Sequence, residues 1–434
     1  MRAAGPDPAD ELAVTIRHFF PELGGWLDEV RDPRTSGRPE YRMRVLLLLG
    51  VLMFLGHAKS RNHLNDNARG AVEMAGNLAR LSGQAVPDVP HLDTLEKVLR
   101  RCDPAHIERA LSFMIRRLVR MKALDAWRAG GRFPLAVDGT GLYAFAERHC
   151  ENCIETRHAS GTVTYSHKLL VAYIVNGEGY ALPVAFEFIE NPGAVYVKQD
   201  CEIKAFRRME ERLRRLYAGI SFHLLLDAMY ADKGIMALCL KNGWNFSITF
   251  KPSDMPALWD EGQRLLALAP GQTRTVTLPQ DKGLRVIRWV NDLDYHGMRL
   301  SAVFQEDKAA DDSTVRSFAH LTGRAIDADK APAAAHVARQ RWRCENEGFN
   351  VLKNGGFALE HVYSQDPVAA KAYVGLMLIA HLLQQLVTRG RIGAVFRETF
   401  HTFLNYGRRM IESLRRHAIP EGLPMPGQIR LSTA

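Results

Sequence analysis

The chain reads as an α/β protein, a mixed sheet with flanking helices and a β-rich insertion, framed by N-terminal and C-terminal helical regions. Three observations predict this. Apolar residues recur at helical spacing from about Asp10 to Trp127, and short β-prone runs alternating with helices begin after the breaker cluster Ala129–Pro134. From Ala369 to His417 the pattern is helical again. The boundaries that follow are a helical region over 1–130, an α/β region over 131–355 with its insertion at about 251–320, and a basic helical region over 356–434.

In the first region Leu92, Leu95, Val98 and Leu99 mark one helical face, which Asp103-Pro104 ends. Ile107, Leu111, Ile115 and Leu118 continue the pattern in the next helix. The twelve-residue apolar run Val45–Gly56 is shorter than the ~20 residues a bilayer span needs, so it is expected as a buried helix. Strands are expected at Leu135–Asp138, Leu169–Val175, Ala181–Ile189, Phe222–Asp227 and Phe246–Phe250. A basic amphipathic helix, Cys201–Tyr217, and a shorter one, Ile235–Asn242, separate them. Strands in meander order followed by strands alternating with helices imply a mixed sheet with helices on its faces. The insertion offers strand-like pieces at 273–278, 284–290 and 299–304, with turns at Asp281-Lys282-Gly283 and Tyr295-His296-Gly297. A Pro-started helix, Pro332–Lys353, then stops at Asn354-Gly-Gly.

Composition narrows the class without naming a reaction. With 47% hydrophobic and 24% charged residues the 434-residue chain is not globally disordered. Six cysteines at this length do not make a disulfide scaffold, and MRAAGPDPADELAV lacks the apolar stretch of a signal peptide. The expectation is a cytoplasmic protein with no membrane partner. Lys and Arg total 57 against 48 acids, a formal charge of +9, which permits a polyanionic partner.

Two aspartates close apolar runs. Asp138 ends Leu135-Ala-Val and precedes Gly139-Thr-Gly, while Asp227 ends His223-Leu-Leu-Leu and precedes Ala228-Met-Tyr. Sites in open α/β sheets gather where strands emerge. An Asp closing a buried strand needs a charged or polar partner, which a metal ion or a turn or helix cap supplies. The Pro332 helix offers a third acid, Glu345 or Glu347. At about 100° per residue, Ala338, Trp342, Phe349 and Leu352 all lie within ~60° of Glu345. Glu345 is therefore expected on the apolar, sheet-facing side, with Arg341 one turn before it, and a purely structural Glu345–Arg341 pair is the plainer alternative. Glu347, rotated by about 200°, shares its face with Arg343, Asn350 and Asn354.

The ordered motifs VDGT, LLLDAMY and RWRCENEGFNVLK resemble those of the DDE transposases of bacterial insertion sequences, particularly the IS4-like groups. The resemblance implies an RNase H-like domain in which Asp138, Asp227 and Glu345 hold two Mg²⁺ ions, with Mn²⁺ as a substitute. The intervals are 89 (227 − 138) and 118 (345 − 227), the longer one matching the β insertion such enzymes place before the glutamate. The family's pattern of Tyr, two residues, Arg, three residues, Glu, six residues, Lys is kept at Arg341 and Glu345. It is departed from at Ala338 and Leu352, with Lys353 one place late. The stretch from Trp26 to Leu64 also resembles the helical region preceding the catalytic domain, so the likeness runs from about Trp26 to Lys353.

The implied function is DNA transposition: binding of terminal inverted repeats, then Mg²⁺-dependent strand cleavage and transfer into target DNA, with a homodimer in synapsis. Two such ions about 3.5–4 Å apart suit an in-line displacement at phosphorus. Two other readings stay open, a non-transposing RNase H-like nuclease and a catalytically inactive DNA-binding derivative. Lys168, Arg207, Arg208, Arg341, Lys353, Arg408 and Arg409 are the expected phosphate contacts, against the plainer reading of solvated charge. Finally, Cys150 and Cys153 form a CxxC pair with His149, His158, His167 and Cys201 as further candidate ligands. A structural zinc site needs four ligands, and a free-thiol loop is the alternative.

Overall fold

The structure, a computed structural model, describes residues 5–35, 39–193, 195–278, 283–310, 315–424, 427, 429 and 431. Among the described residues seven α-helices come first: α1 (Pro8–Phe19), α2 (Leu23–Asp28), α3 (Met43–Leu55), α4 (Arg61–Ala68), α5 (Val72–Ser82), α6 (Leu92–Leu99) and α7 (Pro104–Arg120). Strands β1 (Phe133–Phe145), β2 (Ile154–Arg157), β3 (Val163–Val175) and β4 (Ala181–Ile189) follow. Next come α8 (Glu202–Leu216), β5 (Phe222–Leu226), α9 (Lys233–Lys241), β6 (Asn245–Thr249) and α10 (Pro256–Leu268). Strands β7 (Thr273–Thr277), β8 (Gly283–Tyr295), β9 (Met298–Ala309) and β10 (Val315–Thr322) complete the sheet. The chain ends in α11 (Ala331–Arg339), α12 (Asn350–Asn354), α13 (Pro367–Gln385), α14 (Phe396–Phe400) and α15 (Phe403–Arg416).

All ten strands join one sheet in the order β2-β3-β1-β5-β6-β10-β9-β8-β7, with β4 also paired to β3. β1–β5 and β5–β6 are parallel; the remaining pairs are antiparallel. The mixed sheet expected from the sequence is therefore present. The β-rich segment does not stand apart from it, because β10 bonds to β6 through His320↔Thr249 and Leu321↔Ile248 and extends the main sheet. That segment also holds a helix the strand-like flanks conceal. α10 starts at a proline and buries Leu258, Gly262 and Leu266, four residues apart, with Gly262 seated on Phe304. Of the expected turns, Tyr295-His296-Gly297 joins β8 to β9, while Asp281 and Lys282 lie outside the described residues.

Helices from both ends of the sequence pack together. α3 and α13 are apolar on nearly every side, and such helices must be surrounded. Gly50 of α3 receives Leu376 of α13, where a Cβ would stand 2.7 Å from a leucine methyl, and Gly375 likewise admits Ile107 of α7. One apolar core consequently runs through all three regions, from Leu12 through Leu226 to Leu414. The segment Pro367–Arg391 is long and apolar enough to cross a membrane by length and composition, yet 89% of that window is buried inside the protein.

The first-region helix at 92–99 and the buried helix at 43–55 fall where expected. The Pro332–Lys353 helix does not run straight. The amides of Gln340, Arg341, Arg343 and Cys344 bond three residues back rather than four, and Cys344–Phe349 then forms a π turn.

Buried imidazoles make this fold sensitive to acid. Burial pushes His57 and His223 down to about 4 and His381 to about 3, against ~6.5 in the unfolded chain. Below pH 6.5 the unfolded state takes up protons that the folded state refuses, so stability is lost as pH falls from 6.5 towards 4. Denaturant titrations across that range should show this slope, and His381→Phe should flatten it by about one proton; an unchanged slope would contradict the assignment.

Candidate active site

β1 and β5 run parallel with Ala136 opposite Leu225. Two residues further along each strand stand Asp138 and Asp227, on the same face because side chains alternate. β1 does not end at Asp138 as the sequence suggested. Beyond β5 it keeps β3 as a partner as far as Phe145, which holds it extended. Asp227 lies immediately after β5 and accepts the amide of Ala228 at 2.7 Å, opening a short 3₁₀ turn.

Asp138 accepts its neighbour Gly139's amide at 2.9 Å and the Arg341 guanidinium at 2.8 Å. Arg341 thus pairs with Asp138, not with Glu345. Burial raises the Asp138 carboxyl above the usual range; Arg341 opposes this, while the charges of Asp227 and Glu345 add to it. Asp227 and Glu345 therefore both lie within electrostatic reach of Asp138.

Glu345 departs from its expected setting. It is exposed, as is Trp342, whereas Ala338, Phe349 and Leu352 are buried. The tightened turn at 340–344 and the extra residue of the π turn rotate Glu345 off the apolar stripe. The π segment is seated on the sheet by Gly348, whose Cβ would stand 3.0 Å from the Tyr173 ring, and by Phe349, edge-on to the same ring. Glu347 is the better shielded of the two glutamates and bonds Arg343 at 2.6 Å.

A fourth carboxylate, Glu202, was not legible in the sequence. It opens α8 and accepts the Tyr230 hydroxyl at 2.9 Å. Its carboxylate lies over Gly139, where a Cβ would meet it at 2.6 Å. Gly139 follows Asp138, so Glu202 approaches from the opposite face of the sheet. Burial raises Glu202 as well, the Tyr230 bond opposes this, and the Asp138 and Asp227 charges add to it. An acid at the start of a basic helix reads from sequence as an ordinary complement to the helix dipole; only the crowding over Gly139 reveals the second setting.

The basic residues divide sharply. Lys168 is exposed on β3 opposite Gly141, close enough to act on Glu202. Arg208 is committed to Asp200 at 2.6 Å and Glu187 at 2.7 Å. Arg212 joins Glu187 to the buried Glu108. This network fastens α8 to β4 and α7, so the charge of Arg208, expected on a phosphate, is spent internally. Arg207 stays exposed, 3.8 Å from Asp232, and Lys353 pairs with Glu360 at 2.8 Å. Arg408 and Arg409 are exposed on α15, with Arg409 over the Phe400 ring.

Cys150 and Cys153 lie 3.6 Å apart, and His167 Nε2 is 3.3 and 3.4 Å from their sulfurs. His149 joins Cys150 and His167 within 4.8 Å. His158 bonds Thr164 and Cys201 caps α8, so neither enters this group. Neither a known protein family nor a curated protein matches the chain.

The seating of the π segment is testable. Gly348→Val should destabilise the protein by about 1–3 kcal/mol through overpacking on Tyr173. In a cycle with Tyr173→Leu, denaturant unfolding should give a coupling of at least ~0.5 kcal/mol; strict additivity would show that the ring does not seat this turn.

Proposed function

We propose that the protein is a DNA transposase that cleaves and joins phosphodiester bonds with divalent metal ions, on an RNase H-like domain. The observation that carries this reading is that Asp227, just past the end of β5, and Glu345 both act electrostatically on Asp138 of the neighbouring parallel strand. The donor set fits hard cations. Asp138 feels the charges of Asp227 and Glu345 and is opposed by Arg341, and Glu202 feels those of Asp138 and Asp227 and is opposed by Lys168. Asp138, Asp227 and Glu345 would hold two Mg²⁺, or Mn²⁺, with Glu202 as a further oxygen donor or a positioning residue.

When bound, such ions activate a water or 3′-hydroxyl nucleophile and stabilise the leaving oxygen. The chain's own groups do the rest. Arg341 fixes the Asp138 carboxylate, and Tyr230 fixes that of Glu202. Gly139 leaves room for Glu202 beside the strand. Lys168 at the mouth, with the exposed Arg207, Arg408 and Arg409, supplies positive charge for the DNA backbone. Synapsis of two ends makes a homodimer the working assembly.

The test uses DNA carrying the element's ends, assayed for Mg²⁺-dependent cleavage and strand transfer. Asp138→Asn, Asp227→Asn and Glu345→Gln should each reduce the rate by at least about 100-fold, and Glu202→Gln by about 10–100-fold. Full activity in any of the first three removes that residue from the centre. Cleavage without end preference or strand transfer would favour a nuclease, and binding without cleavage an inactive derivative.

A further inference from the structure

We propose that Cys150, Cys153, His167 and His149 form a structural zinc site that clamps the β1–β2 loop to β3. Zn–S bonds of about 2.3 Å and Zn–N bonds of about 2.0–2.1 Å at tetrahedral angles place two sulfurs about 3.8 Å apart and a sulfur and a nitrogen about 3.6 Å apart. The observed separations are 3.6 Å between sulfurs and 3.3 and 3.4 Å from each sulfur to His167 Nε2. Those three atoms make one nearly equilateral face of a tetrahedron. The fourth corner falls to His149, adjacent to Cys150 in sequence, exposed, stacked on Phe145, and with a ring nitrogen within 4.8 Å of the Cys150 sulfur and a His167 nitrogen.

The surroundings are built to hold this arrangement. Cys153 and His167 are buried, and the Cys153 amide bonds back to the Cys150 carbonyl at 3.4 Å in a tight turn. The backbone amides of Asn152 and Cys153 are turned towards the Cys150 sulfur. Fully buried Asn191 accepts Asn152 at its carbonyl and donates its own side chain to the Cys153 carbonyl, both at 2.8 Å. The loop is thereby fixed from the far side before any ion binds. His167 pairs in register with Tyr143 of β1 and precedes Lys168, so the clamp would rigidify the end of the sheet that carries Asp138. Four protein ligands leave no open position, which makes the site structural and not catalytic.

The test is the metal content of the full chain, purified under reducing conditions without chelator. The expected result is about one zinc per chain, released by a mercurial thiol reagent into a chromogenic chelator. Replacement by Co²⁺ should give the intense visible bands of a tetrahedral sulfur–nitrogen site. Cys153→Ser and His167→Ala should lose the zinc and lower the melting temperature, whereas Asp138→Asn should retain it. Wild-type protein without zinc, or zinc content indifferent to both substitutions, would overturn the proposal. Should the variants fail to fold, the wild-type metal content and cobalt spectrum decide it alone.

Discussion

Asp138 and Glu202 each feel the negative charge of neighbouring carboxylates, which Arg341 offsets at Asp138 and Lys168 at Glu202. Like charges near one another raise the cost of ionising each. Partial burial adds to that cost, and both Asp138 and Glu202 register it as a raised affinity for protons. Such an arrangement persists only where the surrounding structure over-determines it.

The surrounding structure does so with backbone and packing. β1 continues past Asp138 on β3, so the acid is held on a paired strand and not on a loose turn. Gly139 and Gly348 remove side chains at the two places where a carboxylate and a π turn approach the sheet. Tyr173 sits fully buried beneath that turn, and the Arg208–Glu187–Arg212–Glu108 network fixes the helix that begins at Glu202. Behind these contacts the apolar helices α3 and α13, far apart in sequence, fuse the helical regions into the body that supports the sheet.

Much of this was legible in the sequence where a local pattern decides the outcome. Asp138 and Asp227 close apolar runs, and strand alternation alone brings them to one face. Glu345, expected as the buried third acid, acts on Asp138 but is exposed. Uniform helical geometry makes it buried, whereas the π turn exposes it and turns Arg341 onto Asp138. Glu202 depends on tertiary approach, for which spacing carries no signal, and the same approach singles out His167 and His149 from the four further ligands the sequence offered. Net charge misled at Arg208, because a count of basic residues cannot tell an open guanidinium from one committed to Asp200 and Glu187. The hidden helix α10 shows the same limit, an apolar period masked by strand-prone flanks.

The central claim is that Asp138, Asp227 and Glu345 hold divalent ions together. Loading the protein with Fe²⁺ in place of Mg²⁺ and generating hydroxyl radicals at the bound iron tests this directly, because the backbone is cut only near the ion. The account predicts cuts clustered around residues 138, 227 and 345, suppressed by excess Mg²⁺ and abolished in Asp138→Asn. Cuts confined to the Cys150–His167 region, or a pattern indifferent to Mg²⁺ and to that substitution, would contradict it.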